Sequence, residues 1–127
     1  MRSTVLIAIA AAALCACAAS TEPQRVCTLI GCENGLAVEV THSLQQSFTV
    51  DVRTGTQSIH TFSCDPGQTC RAFINNQTPA EVTVTIDAGG GQQPISKVYR
   101  PAYTLNRPNG ADCPPECKQA TITLSVS

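Results

Sequence analysis

The chain has 127 residues, among them eight cysteines, and its eight basic and nine acidic residues give a net charge of −1. That length fits one ordinary domain. No basic cluster favours nucleic-acid binding, and no run of like charges indicates a charged tail. Aromatic residues are scarce and Trp is absent, whereas Thr and Val are abundant. This composition favours strands over helices.

The first segment has the three-part layout of a secretory signal. Arg2 supplies a positive charge, Val5–Leu14 is an uninterrupted apolar run, and small residues follow. The run is about half the roughly 20 residues that a membrane-spanning helix needs. We therefore expect residues 1–16 to direct export and to be removed. Loss of Arg2 leaves seven basic and nine acidic residues and a net charge of −2.

The residues at the end of this run, Leu14-Cys15-Ala16-Cys17, resemble the lipobox of bacterial lipoproteins. The departure from the pattern is Cys15, where Ser, Ala or Thr is more usual. The resemblance implies that the Cys17 thiol receives diacylglycerol, that cleavage precedes Cys17, and that the new amine is acylated, typically with palmitate. Ala18 is not the Asp that signals inner-membrane retention, so in a Gram-negative organism the resemblance implies the outer membrane. The alternative is ordinary cleavage after Ala18, which would release a lipid-free protein.

The rest of the chain divides into a short tether and one domain. Residues 17–25 are small and polar and form the tether, and residues 26–127 form the domain. Val26–Cys32 is a candidate first strand. Further runs alternate apolar and polar residues between turn signals: Leu36–His42, Phe48–Thr54, Gln57–Cys64, Cys70–Ile74, Glu81–Ala88, Ile95–Arg100 and Ala120–Val126.

The alternation predicts which side chains face the core. The predicted inward residues are Leu36, Val38, Val40, Phe48, Val50, Val52, Val82, Val84, Ile86, Ala120, Ile122 and Leu124. About seven short strands with frequent turns predict an all-β fold, a small antiparallel Greek-key sandwich. The outline resembles Ig-like or transthyretin-like modules, although the Trp of true immunoglobulin domains is missing. The Cys113-Pro-Pro-Glu-Cys117 loop and the strand after it resemble those of small bacterial lipoproteins, a resemblance that implies no activity.

Both cleavage alternatives leave the same even set of cysteines for disulfides, namely Cys27, Cys32, Cys64, Cys70, Cys113 and Cys117. Six cysteines allow fifteen connectivities. A hairpin favours Cys64–Cys70. For the other four we favour a nested arrangement, Cys27 with Cys117 and Cys32 with Cys113, over local closure of Cys113–Cys117. The four could instead bind zinc as thiolates, but exported thiols oxidise, so we expect neither a metal nor another cofactor.

Catalytic residues are not predicted anywhere in the chain. A triad of Ser47, His60 and Asp51 can be composed from the sequence, but no G-x-S-x-G motif frames a serine. His42 and His60, the only histidines, are expected at structural positions. The best candidates for a contact surface are Tyr99–Tyr103 and the loop Asn106–Asp112, because loops on rigid sandwiches often carry binding.

These observations predict an exported, lipid-anchored, non-enzymatic protein of the bacterial cell envelope with a structural or accessory binding role. The expected partners are a membrane, through the lipid on Cys17, and an envelope protein or glycan, but not nucleic acid. The alternatives are a freely secreted binding or inhibitor module and, less favoured, a small hydrolase.

Overall fold

The computed structural model describes residues 25–127, which form eight β-strands and no helix. The predicted signal segment, Cys17 and most of the tether lie outside the described residues. In chain order the strands are β1 Gly35–His42, β2 Phe48–Thr54, β3 Gln57–Cys64, β4 Cys70–Asn75, β5 Val82–Asp87, β6 Ile95–Tyr99, β7 Thr104–Asn106 and β8 Cys117–Val126. None of the described segments is a helix that could cross a membrane.

The strands form two four-stranded sheets, ordered β4-β1-β8-β7 and β3-β2-β5-β6. Apolar residues from both sheets form one core cluster, so the two sheets pack face to face as a sandwich. All pairs are antiparallel except β1 and β8, which run in parallel. The predicted all-β sandwich is therefore confirmed, with eight strands in place of about seven.

The core follows from the alternation of apolar residues in the sequence. In a strand, successive side chains point to opposite faces of the sheet. Each of the twelve predicted inward residues is at most 6% exposed. The buried core consists almost wholly of aliphatic side chains from the strands, with one aromatic ring, Phe48.

One predicted strand is absent from the structure, and one observed strand was not predicted. Val26–Cys32 is not a strand: it has no regular secondary structure and no neighbouring strand, and it is held instead by disulfides and hydrogen bonds to the chain before β8 and to the first residue of β8. The short strand β7 was not predicted, since three residues give too little alternation to detect. It pairs only with the first three residues of β8. From Ala120 to Val126, β8 has no described partner strand on that edge.

The parallel pairing of β1 and β8 determines which loops meet. Both strands begin at the same end of the sandwich, where β4 and β7 end. The segment that precedes β1 and the loop that precedes β8 therefore lie side by side. We call residues 25–34 and 107–117 together the clamped end. The last residue of β8, Val126, lies at the opposite end beside His42.

Candidate functional site

Three disulfides join all six cysteines of the described domain: Cys27–Cys113, Cys32–Cys117 and Cys64–Cys70. The predicted Cys64–Cys70 pair is confirmed. The predicted nesting of Cys27 with Cys117 and Cys32 with Cys113 was wrong, and so was local closure of Cys113–Cys117. Because the four cysteines at the clamped end are in disulfides, they do not offer the thiolates that a zinc site would need.

The parallel register of β1 and β8 explains the correction. Gly35 lies opposite Gln119, an offset of 84 residues. The disulfides Cys32–Cys117 and Cys27–Cys113 span 85 and 86 residues. They therefore continue the parallel register beyond the first residues of the two strands. A nested pairing would have required the two segments to run antiparallel.

Asn109 provides the polar contacts of the clamped end. Its Nδ2 donates to the carbonyl oxygens of Ile30, at 2.8 Å, and Pro114, at 2.7 Å. Its Oδ1 accepts from the Ile30 amide at 3.0 Å and from the Thr28 hydroxyl at 2.6 Å. The Asn109 side chain therefore hydrogen-bonds both backbone groups of Ile30, as a neighbouring strand would, and fixes this residue against the loop.

Ion pairs complete the link between segment and loop. Arg25 pairs with Asp112, and within the loop Arg107 contacts Glu116 at 2.6 Å. Further along, the Lys118 amide donates to Asn34 Oδ1 at 2.7 Å. These side chains are largely exposed, so each pair contributes little to stability. Their effect is to pair opposite charges on this surface.

Apolar side chains project from the same segment into solvent. Val26 is 93% exposed, Leu29 is 98% exposed and Ile30 is 56% exposed. They are three of the seven exposed large hydrophobic residues in the described chain, and they lie within five positions of one another. Prediction from sequence missed this feature because Val26–Cys32 was taken as a candidate strand. The signal present in the sequence was the pair Cys27 and Cys32, which encloses Leu29 and Ile30 and directly follows Val26.

The predicted contact surface has mainly structural roles. The Tyr103 hydroxyl donates to the Pro79 carbonyl at 2.9 Å, and Tyr99 packs against the core with the Lys97 ammonium 5.3 Å from its ring centre. Burial raises the pKa of both phenols. Asn109, in the predicted loop, is occupied by the clamp. Neither tyrosine nor Asn109 is therefore freely available to a ligand.

The residues of the hypothetical catalytic triad do not meet. Asp51 lies opposite Thr61 in the β2–β3 pair, whereas Val52 lies opposite His60, so the carboxylate and the imidazole are on opposite faces of the sheet. The His42 ring contacts Phe48 edge to face, 4.7 Å between centroids, and neither of its nitrogens has a hydrogen-bond partner in the described structure. Ser47, His60 and Asp51 therefore do not form a triad.

Asp51 instead anchors a polar cluster on the outer face of its sheet. It accepts hydrogen bonds from Ser58, from Thr61 at 3.1 Å and from Arg53 at 2.5 Å. Burial by itself raises the pKa of the Asp51 carboxyl, but these hydrogen bonds and the charge of Arg53 outweigh it and lower the pKa below its ordinary value. A carboxyl that these contacts keep ionised accepts structural hydrogen bonds and is a weaker proton acceptor than an ordinary carboxylate.

Small cavities lie at two places on the surface of residues 25–127. One, of about 240 Å³, lies beside Phe48, Asp87 and Gly89 at the end of the sandwich opposite the clamp. The other, of about 130 Å³, lies between β6 and the free edge of β8, against Tyr99 and Leu124. Both are below the usual size of a small-molecule site. Among residues 25–127 no group of three or more His, Cys, Asp and Glu side chains is placed to hold a metal.

Comparisons with known proteins give no relative. The chain matches no protein-family model, no curated protein and no solved structure. The resemblances to lipoproteins and to Ig-like or transthyretin-like modules therefore rest on the sequence patterns alone.

Proposed function

We propose that the chain is an exported, lipid-anchored, non-enzymatic protein of the bacterial cell envelope, with a structural or accessory binding role. The lipid on Cys17 would hold the domain at a membrane surface, the outer membrane in a Gram-negative organism. The observation that carries the proposal is the lipobox-like Leu14-Cys15-Ala16-Cys17 directly after the apolar run. Two or more acyl chains on one cysteine give stable anchoring.

The pairing of the other cysteines supports this assignment. All six that follow Cys17 are joined to one another, so the domain does not require Cys17 for a disulfide. Three disulfides in a domain of this size are typical of an oxidising, extracytoplasmic compartment. The same pairing is compatible with a freely secreted protein, and the processing site distinguishes the two.

Metabolic labelling with a clickable palmitate analogue, followed by membrane fractionation of bacteria that express the full chain, tests the proposal. We expect label and membrane association for the native chain, and loss of both for Cys17→Ser. The matched control is Cys15→Ser, which restores a usual lipobox residue two positions away and should keep both. A native chain that lacks label and is found in the soluble fraction would establish the secreted alternative.

A further inference from the structure

The exposed apolar side chains of Val26, Leu29 and Ile30, which we call the apolar tip, lie on the segment closest to the proposed anchor. Elsewhere in the described chain the apolar side chains of comparable exposure are dispersed over β6 and β7. Clusters of exposed apolar side chains mark protein or membrane contact surfaces, whereas single scattered ones are normal on any protein. The cluster is therefore a candidate contact surface.

The tip is held in position and cannot fold back onto the sandwich. Leu29 and Ile30 lie between Cys27 and Cys32, and Val26 directly precedes Cys27. Each cysteine is joined to the loop before β8 or to the first residue of that strand. Between the two disulfides, Asn109 binds both backbone groups of Ile30. The side chains of Val26 and Leu29 are thus presented to the outside by a backbone fixed at three points.

Charge does not oppose contact with a lipid surface at this end. The clamped end and the adjacent Lys118 carry three basic and three acidic residues: Arg25, Arg107, Lys118, Glu33, Asp112 and Glu116. Four of them form ion pairs. The surface around the tip is therefore close to neutral, and an approach to a bilayer would leave few unpaired charges.

The length of chain before the tip identifies the occupant. Seven residues lie between Cys17 and Arg25, so eight Cα-to-Cα steps join the two, and a fully extended chain of eight steps spans at most about 29 Å. Arg25, at the end of the sandwich that bears the tip, therefore lies within about 29 Å of Cys17 and of any membrane that contains its lipid. The opposite end, at Val126, is separated from it by the whole of β8, about 33 Å for ten residues.

We propose that the apolar tip contacts the lipid surface itself, so that the domain stands on the membrane with the clamped end down. This inference rests on the proposed function, because it takes the anchor at Cys17 as given. It adds an orientation: the turn Asp65–Gly67 and the β5–β6 hairpin, at the opposite end, would face away from the membrane. Those loops, and not the clamped end, would then be accessible to an envelope partner.

The absence of Trp from the chain makes a direct test available. Leu29→Trp places a single indole at the tip, and Gln92→Trp places one on an exposed residue of the β5–β6 hairpin as the matched control. Each lipidated full-length product is reconstituted in vesicles of phosphatidylethanolamine and phosphatidylglycerol, with or without brominated acyl chains. We expect a blue-shifted emission and at least twofold quenching by brominated lipid at position 29, and neither at position 92.

Flotation of the same vesicles separates failure of the anchor from failure of the tip. Protein that does not float with the vesicles would contradict lipidation and hence the proposed function. Protein that floats but shows no quenching at position 29 would overturn the tip proposal alone. A blue shift at position 29 without quenching would also overturn it, because the indole would then be covered by protein, either a second copy or a partner.

Discussion

At the scale of single residues, Gly35 is the position where an added methyl group should be most harmful. A Cβ there would lie 2.5 Å from the Phe73 ring and 2.6 Å from the Ile74 carbonyl oxygen. We expect Gly35→Ala to lower the free energy of unfolding by about 1–3 kcal/mol, measured by urea denaturation. Gly31→Ala is the control, because nothing lies within 4 Å of its Cβ. Equal stability of the two variants would contradict the packing described for β1.

Asp51 should make stability depend on pH. Its pKa in the folded protein is below the ordinary value, so ionised Asp51 stabilises the fold above pH of about 4. That stabilisation is lost as the pH falls through the folded pKa. We expect Asp51→Asn to cost about 1 kcal/mol at pH 7 and progressively less towards pH 2, by urea denaturation at each pH. Asp65→Asn, an exposed turn residue with the same charge change, serves as control. A cost that does not vary with pH would contradict the assignment.

Asn109 carries the polar contacts of the clamp and allows a graded test. Asn109→Ala removes all four hydrogen bonds and should cost about 1–2 kcal/mol in thermal or urea unfolding. Asn109→Asp keeps the Oδ1 acceptor for Thr28 and Ile30 but places a second carboxylate oxygen against the carbonyl oxygens of Ile30 and Pro114. It should therefore cost at least as much as Asn109→Ala at pH 7, and less below pH of about 4, where a protonated carboxyl can donate one hydrogen bond. If Asn109→Ala unfolds as the native chain does, the disulfides alone hold the segment.

At the scale of elements, the two disulfides of the clamped end should act together. Either one closes the long loop between β1 and β8, so the second adds only a short cycle through both links. On chain-entropy grounds, removal of Cys27–Cys113 or Cys32–Cys117 alone should cost about 3 kcal/mol, and removal of both about 7 kcal/mol. Paired Cys→Ala variants, compared by urea denaturation, measure these costs. Strictly additive losses would show that the two links act independently.

The free edge of β8 has little protection against unwanted pairing. Ala120–Val126 contains no charged residue and no Pro, and β7 does not reach it. Such an edge is a template for association. We expect Thr123→Lys, at an exposed outward position, to slow aggregation on heating several-fold while the unfolding free energy changes by less than about 0.5 kcal/mol. Light scattering during a thermal ramp measures the effect, and Thr121→Lys, nearer β7, is the comparison.

At the scale of the whole molecule, the sequence predicts what depends on local pattern and misses what depends on topology. Alternation identified twelve buried side chains of β1, β2, β5 and β8, because burial on one face imposes a period of two. It could not reveal that β1 and β8 are parallel, since direction of pairing leaves no trace in either strand alone. The predicted nested pairing of Cys27 with Cys117 and Cys32 with Cys113 was wrong because it assumed that the two segments run antiparallel. The apolar tip was missed because Val26–Cys32 has a strand-like composition but no neighbouring strand.

The same division holds for the candidate site. Export and an anchor at Cys17 are predictions from a contiguous pattern that lies outside the described residues, so they rest on sequence alone. The clamp unites residues more than 70 positions apart, such as Thr28 and Asn109, and only the fold brings them together. The hydrogen bonds that engage Tyr103 and Asn109 also follow only from the fold.

The most direct test of the account is the intact mass of the mature protein purified from a bacterial membrane fraction, before and after reduction and alkylation. We expect the mass of residues 17–127 plus the acyl chains on Cys17, no alkylation before reduction, and six alkylated cysteines after it. A lipid-free mass that begins at Ala19 would contradict the anchor, and alkylation before reduction would contradict the three disulfides.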